Sequence, residues 1–148
     1  MITKEIAGSN LRSPIEVVAG VVVFQKKVLV AKRKGGYLHD LWEFPGGKIE
    51  DGETFFGAIL RELKEELNLL VEPLEKILVL QHEYPEKEVR LHFIKCKTTE
   101  QALSQIPGKL IENEDVKWID PVSFPRIEFC PADQIAMTRI NWDNLFLT

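Results

Sequence analysis

Glu62, Glu65 and Glu66 carry the densest chemical signal in the chain, standing at i, i+3 and i+4. At the helical repeat their side chains share about 100° of arc, so three carboxylates converge. Like charges at this spacing destabilise an isolated helix by roughly 0.2–0.5 kcal/mol per pair. Arg61 and Lys64 are expected to point to other sides of Glu62 and Glu66 and to relieve that repulsion only in part. A divalent cation is the natural compensating charge. Mg²⁺ takes oxygen ligands, keeps several waters and bridges to substrate phosphates. An E-x-x-E-E face taken alone is more often a solvated surface. Three neighbours here argue for a site: Gly46-Gly47 lets backbone approach a ligand closely, Glu53 lies near the helix start where it can brace Arg61, and Asn68 suits a left-handed cap at the helix end.

The elements that must position these groups follow from the pattern of the chain. Residues 54–67 form a helix with Thr54 as N-cap and an apolar stripe of Phe56, Leu60, Leu63 and Leu67. Residues 15–24 are β-branched and apolar on both faces, which suits a central strand covered on both sides. Val28 to Ala31 resumes as a second strand, residues 33–40 form a polar loop, and Trp42 to Gly47 reads as a tight aromatic-flanked turn. Residues 74–83 and 89–96 pair through a Glu-Tyr-Pro-Glu-Lys hairpin, and Val116 to Ile119 is a short strand. Pro131 opens a last helix that presents Ile135, Met137 and Ile140. Strands alternating with helices, together with a hairpin, imply an α/β fold with a mixed sheet between helices.

Composition narrows the function classes. The chain has 148 residues, 45% hydrophobic and 28% charged, with a net charge of −4. One domain of that size buries a real core. The acidic balance argues against non-specific binding to duplex DNA. The longest apolar run, Val17 to Phe24, is far shorter than the ~20 residues that span a bilayer. The first residues carry a charge pair where an export signal would be apolar, and Cys96 and Cys130 make no CxxC. Two free thiols in a reducing compartment, and a cytoplasmic location, are expected. Gly46-Gly47-Lys48 lacks the spacing and hydroxyl residue of a Walker A loop; His39, His82 and His92 make no HExxH; no Gly-x-Ser-x-Gly elbow occurs.

The segment from Gly46 to Leu69, GGKIEDGETFFGAILRELKEELNL, resembles the Nudix box, G-x5-E-x7-R-E-U-x-E-E-x-G-U, where U is bulky and aliphatic. Gly47, Glu53, Arg61, Glu62, Leu63, Glu65, Glu66 and Leu69 occupy its positions. Asn68 stands where the family has glycine, a change that a left-handed cap tolerates and that touches no catalytic group. The flanking Trp42-Glu-Phe-Pro-Gly-Gly-Lys-Ile-Glu and the chain length resemble the MutT-like branch, and the similarity runs from about Val17 to the last helix.

The resemblance implies a Nudix α/β/α sandwich with residues 1–148 as one domain, and hydrolysis of a nucleoside diphosphate linked to another group with Mg²⁺ or Mn²⁺ as cofactor. Glu62 and Glu66 would be central metal ligands, Glu65 would assist, and the Gly46 carbonyl would add a further ligand. Glu53 would orient the loop by pairing with Arg61. MutT-like enzymes often add a carboxylate six residues before a Trp. Glu112 holds that place before Trp118, with Glu114 as its competitor. Either Glu62 or Glu112 could take the proton from the attacking water. Arg33 and Lys48 are candidates to steady phosphate oxygens, and either could equally be a solvated surface charge. Asp133 would meet the base edge, only accepting hydrogen bonds when ionised, with Phe44 lining the pocket and Tyr37 and Lys87 at its rim.

The expected reaction is attack at the β-phosphorus of a (d)NTP, giving the monophosphate and pyrophosphate, with an oxidised purine such as 8-oxo-dGTP as substrate. The alternatives are a pyrimidine substrate (CTP or methyl-dCTP), a dinucleotide polyphosphate, a nucleotide sugar or an RNA 5′ end. A binding module without catalysis is disfavoured by the intact Glu53, Arg61, Glu62, Glu65 and Glu66. The expected partner is the nucleotide alone, with no membrane, no stable nucleic-acid complex, and a monomer or homodimer.

Overall fold

The valine-rich stretch becomes the middle of the sheet. In the computed structural model, which describes residues 13–107, 113–121 and 127–147, β1 (Ile15–Phe24) runs parallel to β6 (Lys87–Lys97) along one edge. Its other edge is shared between two antiparallel partners, β2 (Lys27–Arg33) at its end and β4 (Gly46–Lys48) at its start. β3 (Trp42–Glu43) and β7 (Asn113–Ile119) flank β2, and β5 (Glu72–Tyr84) pairs antiparallel with β6. Among the described residues the result is a mixed seven-stranded sheet. The helices are α1 (Phe55–Leu67), α2 (Glu100–Leu103), α3 (Pro131–Arg139) and α4 (Trp142–Leu145).

Because β1 alternates, its two faces feed two cores. Val18 and Val22 pack with Ile94 and Cys96 of β6 against Ala58, Ile59, Leu63 and Leu67 of α1. Val21 and Val23 pack with Leu91 and Phe93 against Ala132, Ala136 and Met137 of α3 and Leu145 of α4. Both faces of the sheet are thus covered, and the layers form an α/β/α sandwich. Cys96 and Cys130 are free and buried.

Local chemistry sets the bounds of α1. The Thr54 hydroxyl accepts from the Gly57 N–H at 2.9 Å. Asn68 closes the helix in the left-handed region, φ 52° and ψ 37°. Its N–H reaches the Lys64 carbonyl at 3.0 Å, and the Leu69 N–H reaches Leu63 at 3.2 Å. The Asn68 side-chain amide also donates to the Gln105 carbonyl at 3.1 Å.

The structure corrects three expectations. Trp42 to Gly47 is not one tight turn: β3 and β4 bracket Phe44-Pro45, and the glycines let β4 lie against β1. A Cβ on Gly46 would overlap the Val18 carbonyl. The apolar stripe of α1 is rolled toward Ala58, Ile59 and Glu66, leaving Phe56 and Leu60 exposed. The cause lies on β1, where Gly20 admits Leu63 and Ile59, whose Cδ1 atoms would stand 3.2 and 3.3 Å from a Cβ there. The hairpin turn is only Pro85-Glu86, because Tyr84 already pairs with Lys87.

Candidate active site

The roll of α1 decides where the glutamates go. Glu66 lies within the packed face and is 7% exposed. The Glu62 side chain is 12% exposed, and Glu65 points outward at 60%. The Glu62 carboxylate sits against the α-carbon of Gly47, and a Cβ on that glycine would overlap it. Gly47 therefore serves to make room for a carboxylate, and any other residue would displace it.

Arg61 is the hub of the loop before the helix. Its Nε donates to Glu53 Oε2 at 2.6 Å and its Nη2 to Glu53 Oε1 at 2.9 Å, a two-pronged pair. Nη2 also donates to the Lys48 carbonyl at 3.0 Å, which ties the end of β4 to the helix. Nη1 reaches Glu62 at 3.2 Å and Glu65 at 3.0 Å. Arg61 does not point away from Glu62, as the helical wheel suggests; its long side chain folds back along the acidic face. The Arg61 hydrogen bond, then the Glu50 N–H, pulls the Glu53 carboxyl down to about 2. The same bond raises the Arg61 guanidinium above its ordinary value.

The donor set suits a hard dication. Two carboxylates one turn apart, Glu62 and Glu66, are drawn into the packed side of α1, and burying negative charge requires compensation. The backbone at Gly47 approaches Glu62 without an intervening side chain. Oxygen-only donors select Mg²⁺ or Mn²⁺ over thiophilic ions. Glu112 lies outside the described residues; Glu114 lies on β7.

Across the sheet from α1 lies a cavity of about 410 Å³. Arg33, Tyr37, Lys87 and Asp133 line it, with Glu43, Tyr84 and Cys130, which no sequence pattern placed there. Phe44 and Lys48 are not among its lining residues. Phe44 is core: its ring meets Phe93 edge-on at 5.9 Å, and its N–H donates to Asp133 Oδ1 at 3.0 Å. Successive residues of an extended segment alternate, so Glu43 faces the cavity instead. Lys48 is exposed and contributes its carbonyl to Arg61.

The chemistry of the cavity floor also differs from expectation. Asp133 is 4% exposed. Burial first, then the charge of Glu43, pushes its carboxyl well above the usual carboxylate range. This favours the acid form, which donates as well as accepts, over the ionised acceptor. Glu43, Cys130 and Asp133 bring ligand atoms within 4.8 Å of one another. Arg33 already pairs with Glu43 at 3.0 Å, and burial raises the Cys130 thiol. The wall is thus an Arg33–Glu43 pair beside two groups that favour their protonated forms, Asp133 and Cys130, an arrangement better suited to a ligand's polar edge than to a cation. Tyr84 is pushed up to about 12, chiefly by burial, so its hydroxyl keeps its proton.

A family model described as NUDIX domain matches residues 14–140. The chain belongs to the Nudix family. It is a MutT-like Nudix hydrolase, an enzyme that acts on phosphoric anhydrides. An 8-oxo-dGTP diphosphatase of Proteus vulgaris is 31% identical over 66% of this Nudix chain and 88% of that protein. A CTP pyrophosphohydrolase of Escherichia coli is 31% identical over 80% of this chain and 85% of that one. An ADP-ribose pyrophosphatase of Methanocaldococcus jannaschii is 31% identical, covering 88% of this chain and 76% of its own length. Among solved structures, the E. coli ORF135 protein superposes with a TM-score of 0.69 at 28% identity, over 87% of this chain and 89% of that one. Among the described residues no helix is long and apolar enough to cross a membrane.

Proposed function

We propose that this Nudix hydrolase is a Mg²⁺- or Mn²⁺-dependent nucleoside triphosphate pyrophosphohydrolase. It releases the monophosphate and pyrophosphate, and an oxidised purine such as 8-oxo-dGTP is its substrate. It works as a single domain in the cytoplasm, as a monomer or homodimer, and clears the nucleotide pool on which DNA replication draws. The observation that carries this reading is the Glu62 carboxylate seated against Gly47 beneath the Arg61–Glu53 brace. When bound, the dication supplies neutralisation of phosphate oxygens and a more acidic water. The residues that would hold it are Glu62 and Glu66, with Glu65 and the Gly46 carbonyl assisting. Glu62 or Glu112 takes the proton from the attacking water. Glu53 and Arg61 keep the loop and helix in register. Arg33 and Lys87 bring positive charge to the cavity, Tyr37 stands at its rim, and Asp133 meets the base edge.

A pyrimidine triphosphate is the second reading. The likeness to a CTP pyrophosphohydrolase over 80% of the chain supports it. So does an acid, rather than an amide, on the cavity floor. The test is a panel of canonical, oxidised and methylated (d)NTPs, ADP-ribose, dinucleotide polyphosphates and nucleotide sugars, with pyrophosphate and phosphate measured separately. The first reading requires the highest kcat/KM on an oxidised purine with pyrophosphate as co-product. Preference for CTP selects the second, and turnover of ADP-ribose alone would overturn both.

A further inference from the structure

Glu16, Arg90 and His92 form a polar cluster that the proposed chemistry does not use. They lie on the α1 face of the sheet, two residues along from Val18 and Ile94 of that core. The parallel register sets Glu16 beside Arg90 and Val18 beside His92. Glu16 Oε1 stands 2.7 Å from His92 Nε2, and Glu16 Oε2 accepts from Arg90 Nη1 at 2.7 Å. A carboxylate oxygen paired this way accepts, so the imidazole proton belongs on Nε2. His92 is 5% exposed, and its Nδ1 finds no hydrogen-bond partner among the described residues. Leaving a buried polar nitrogen without a partner costs stability, so this ring is held in place for something other than a full set of hydrogen bonds.

What the ring touches is the start of the catalytic helix. Phe55, the first residue of α1, stacks on the imidazole at 4.4 Å between centroids and 29° between planes. Lys76 places its ammonium 3.4 Å from the centroid of the Phe55 ring. At the other end of the same loop, the Ile49 N–H donates to the Glu16 carbonyl at 3.0 Å. Glu16 thus holds the exit of β4 with its backbone and, through His92, the entry of α1 with its side chain. Between those two points runs the segment carrying Glu53, whose partner Arg61 ties it to the helix.

We propose that His92 and Glu16 are positioning residues for the metal-bearing loop and helix, acting through Ile49 and Phe55 on the placement of Glu62 and Glu66. The inference rests on the reading of α1 as the helix that holds the dication. The substrate cavity lies on the other face of β1 and β6, where Val17, Val89 and Leu91 line it, so loosening the clamp leaves nucleotide affinity alone.

The test is Mn²⁺ binding by titration calorimetry on His92→Ala, His92→Phe, Phe55→Ala and Glu62→Gln, with Tm recorded for each. Losing groups that orient metal-binding side chains weakens metal affinity by ~10–100-fold. His92→Ala and Phe55→Ala should do so, and in turnover assays kcat should fall while KM for the nucleotide holds within ~2-fold. His92→Phe keeps the stack on Phe55 but loses the bond to Glu16, so it should recover only part of the affinity lost in His92→Ala. Phe55 is half-exposed and its alanine variant folds without a buried void, so a failure of His92→Ala to fold leaves the question decidable. Mn²⁺ affinity within ~2-fold of the parent in folded Phe55→Ala would overturn the proposal. If Glu62→Gln leaves Mn²⁺ affinity intact, the reading of α1 itself fails; if only Glu62→Gln weakens it, the clamp alone fails.

Discussion

Two adjacent glycines should fail in different ways when given a methyl group. Gly47 is not in the left-handed region, so alanine fits its backbone. Its new Cβ would overlap the carboxylate carbon and both oxygens of Glu62, the mobile end of a long side chain. To regain ordinary contact at 3.4 Å or beyond, that carboxylate must withdraw by about 1 Å or more, and misplacement on that scale costs ~10²-fold in rate. The barrier then rises by roughly 2.7 kcal/mol. The fold is spared, because no backbone has to move. Gly46→Ala instead drives a Cβ into the carbonyl of Val18 and to 2.9 Å from the α-carbon of Ala19, both part of β1. Overpacking against backbone costs ~1–3 kcal/mol, or roughly 3–10 °C in Tm. Pyrophosphate release at saturating Mg²⁺, paired with thermal melts of the metal-free proteins, separates the two. Gly47→Ala should lose rate and keep its Tm; Gly46→Ala should lose Tm. Wild-type turnover in Gly47→Ala, or a Tm loss equal to that of Gly46→Ala, would refute the reasoning.

Excess chelator should abolish turnover and added Mg²⁺ restore it; full activity in EDTA contradicts a metal enzyme. Glu62→Gln and Glu66→Gln should each lower kcat by ~10³-fold, whereas Glu65→Gln, 60% exposed and paired with Arg61, should cost ~10-fold or less; equal losses at all three positions would show that burial does not rank them. Asp133 gives a pH test. Its folded pKa is raised above the ordinary 3.8, so its favourable contribution is complete below that value and is lost as pH climbs through the folded pKa. Asp133→Asn keeps an acceptor for the Phe44 N–H but cannot ionise. Its Tm advantage over the parent should therefore grow as pH rises above about 4, and a constant difference in melting scans would remove Asp133 from the titrating groups.

The parts of the fold that were legible in the sequence are those fixed by local chemistry. Thr54 and Asn68 bound α1 because a hydroxyl cap and a left-handed end are decided within one turn of helix. The central strand was legible because valine on both faces has one use in an α/β sheet. Long-range choices were hidden. Which arc of α1 packs depends on Gly20, remote in sequence. β3 and β4 exist only because Glu43 pairs with Ala31 and Gly46 with Ala19. The Nudix glutamates are dense enough in sequence to be found directly, but the cavity draws on β1, β2, β3, β5, β6 and α3. No local pattern linked Glu43, Tyr84 and Cys130; the one available hint was Tyr84 at the mouth of the hairpin beside Lys87.

The sheet separates two tasks. Carboxylates that would act on the anhydride hang from one side, and the walls of the cavity rise from the other, contributed by strand ends and the first turn of α3. On the proposed reading, changes at Tyr84, Lys87 or Asp133 would suit a new base without disturbing the carboxylates of α1. Relatives that share this scaffold and carry purine, pyrimidine and ribose-linked substrates in their names are the outcome such modularity predicts.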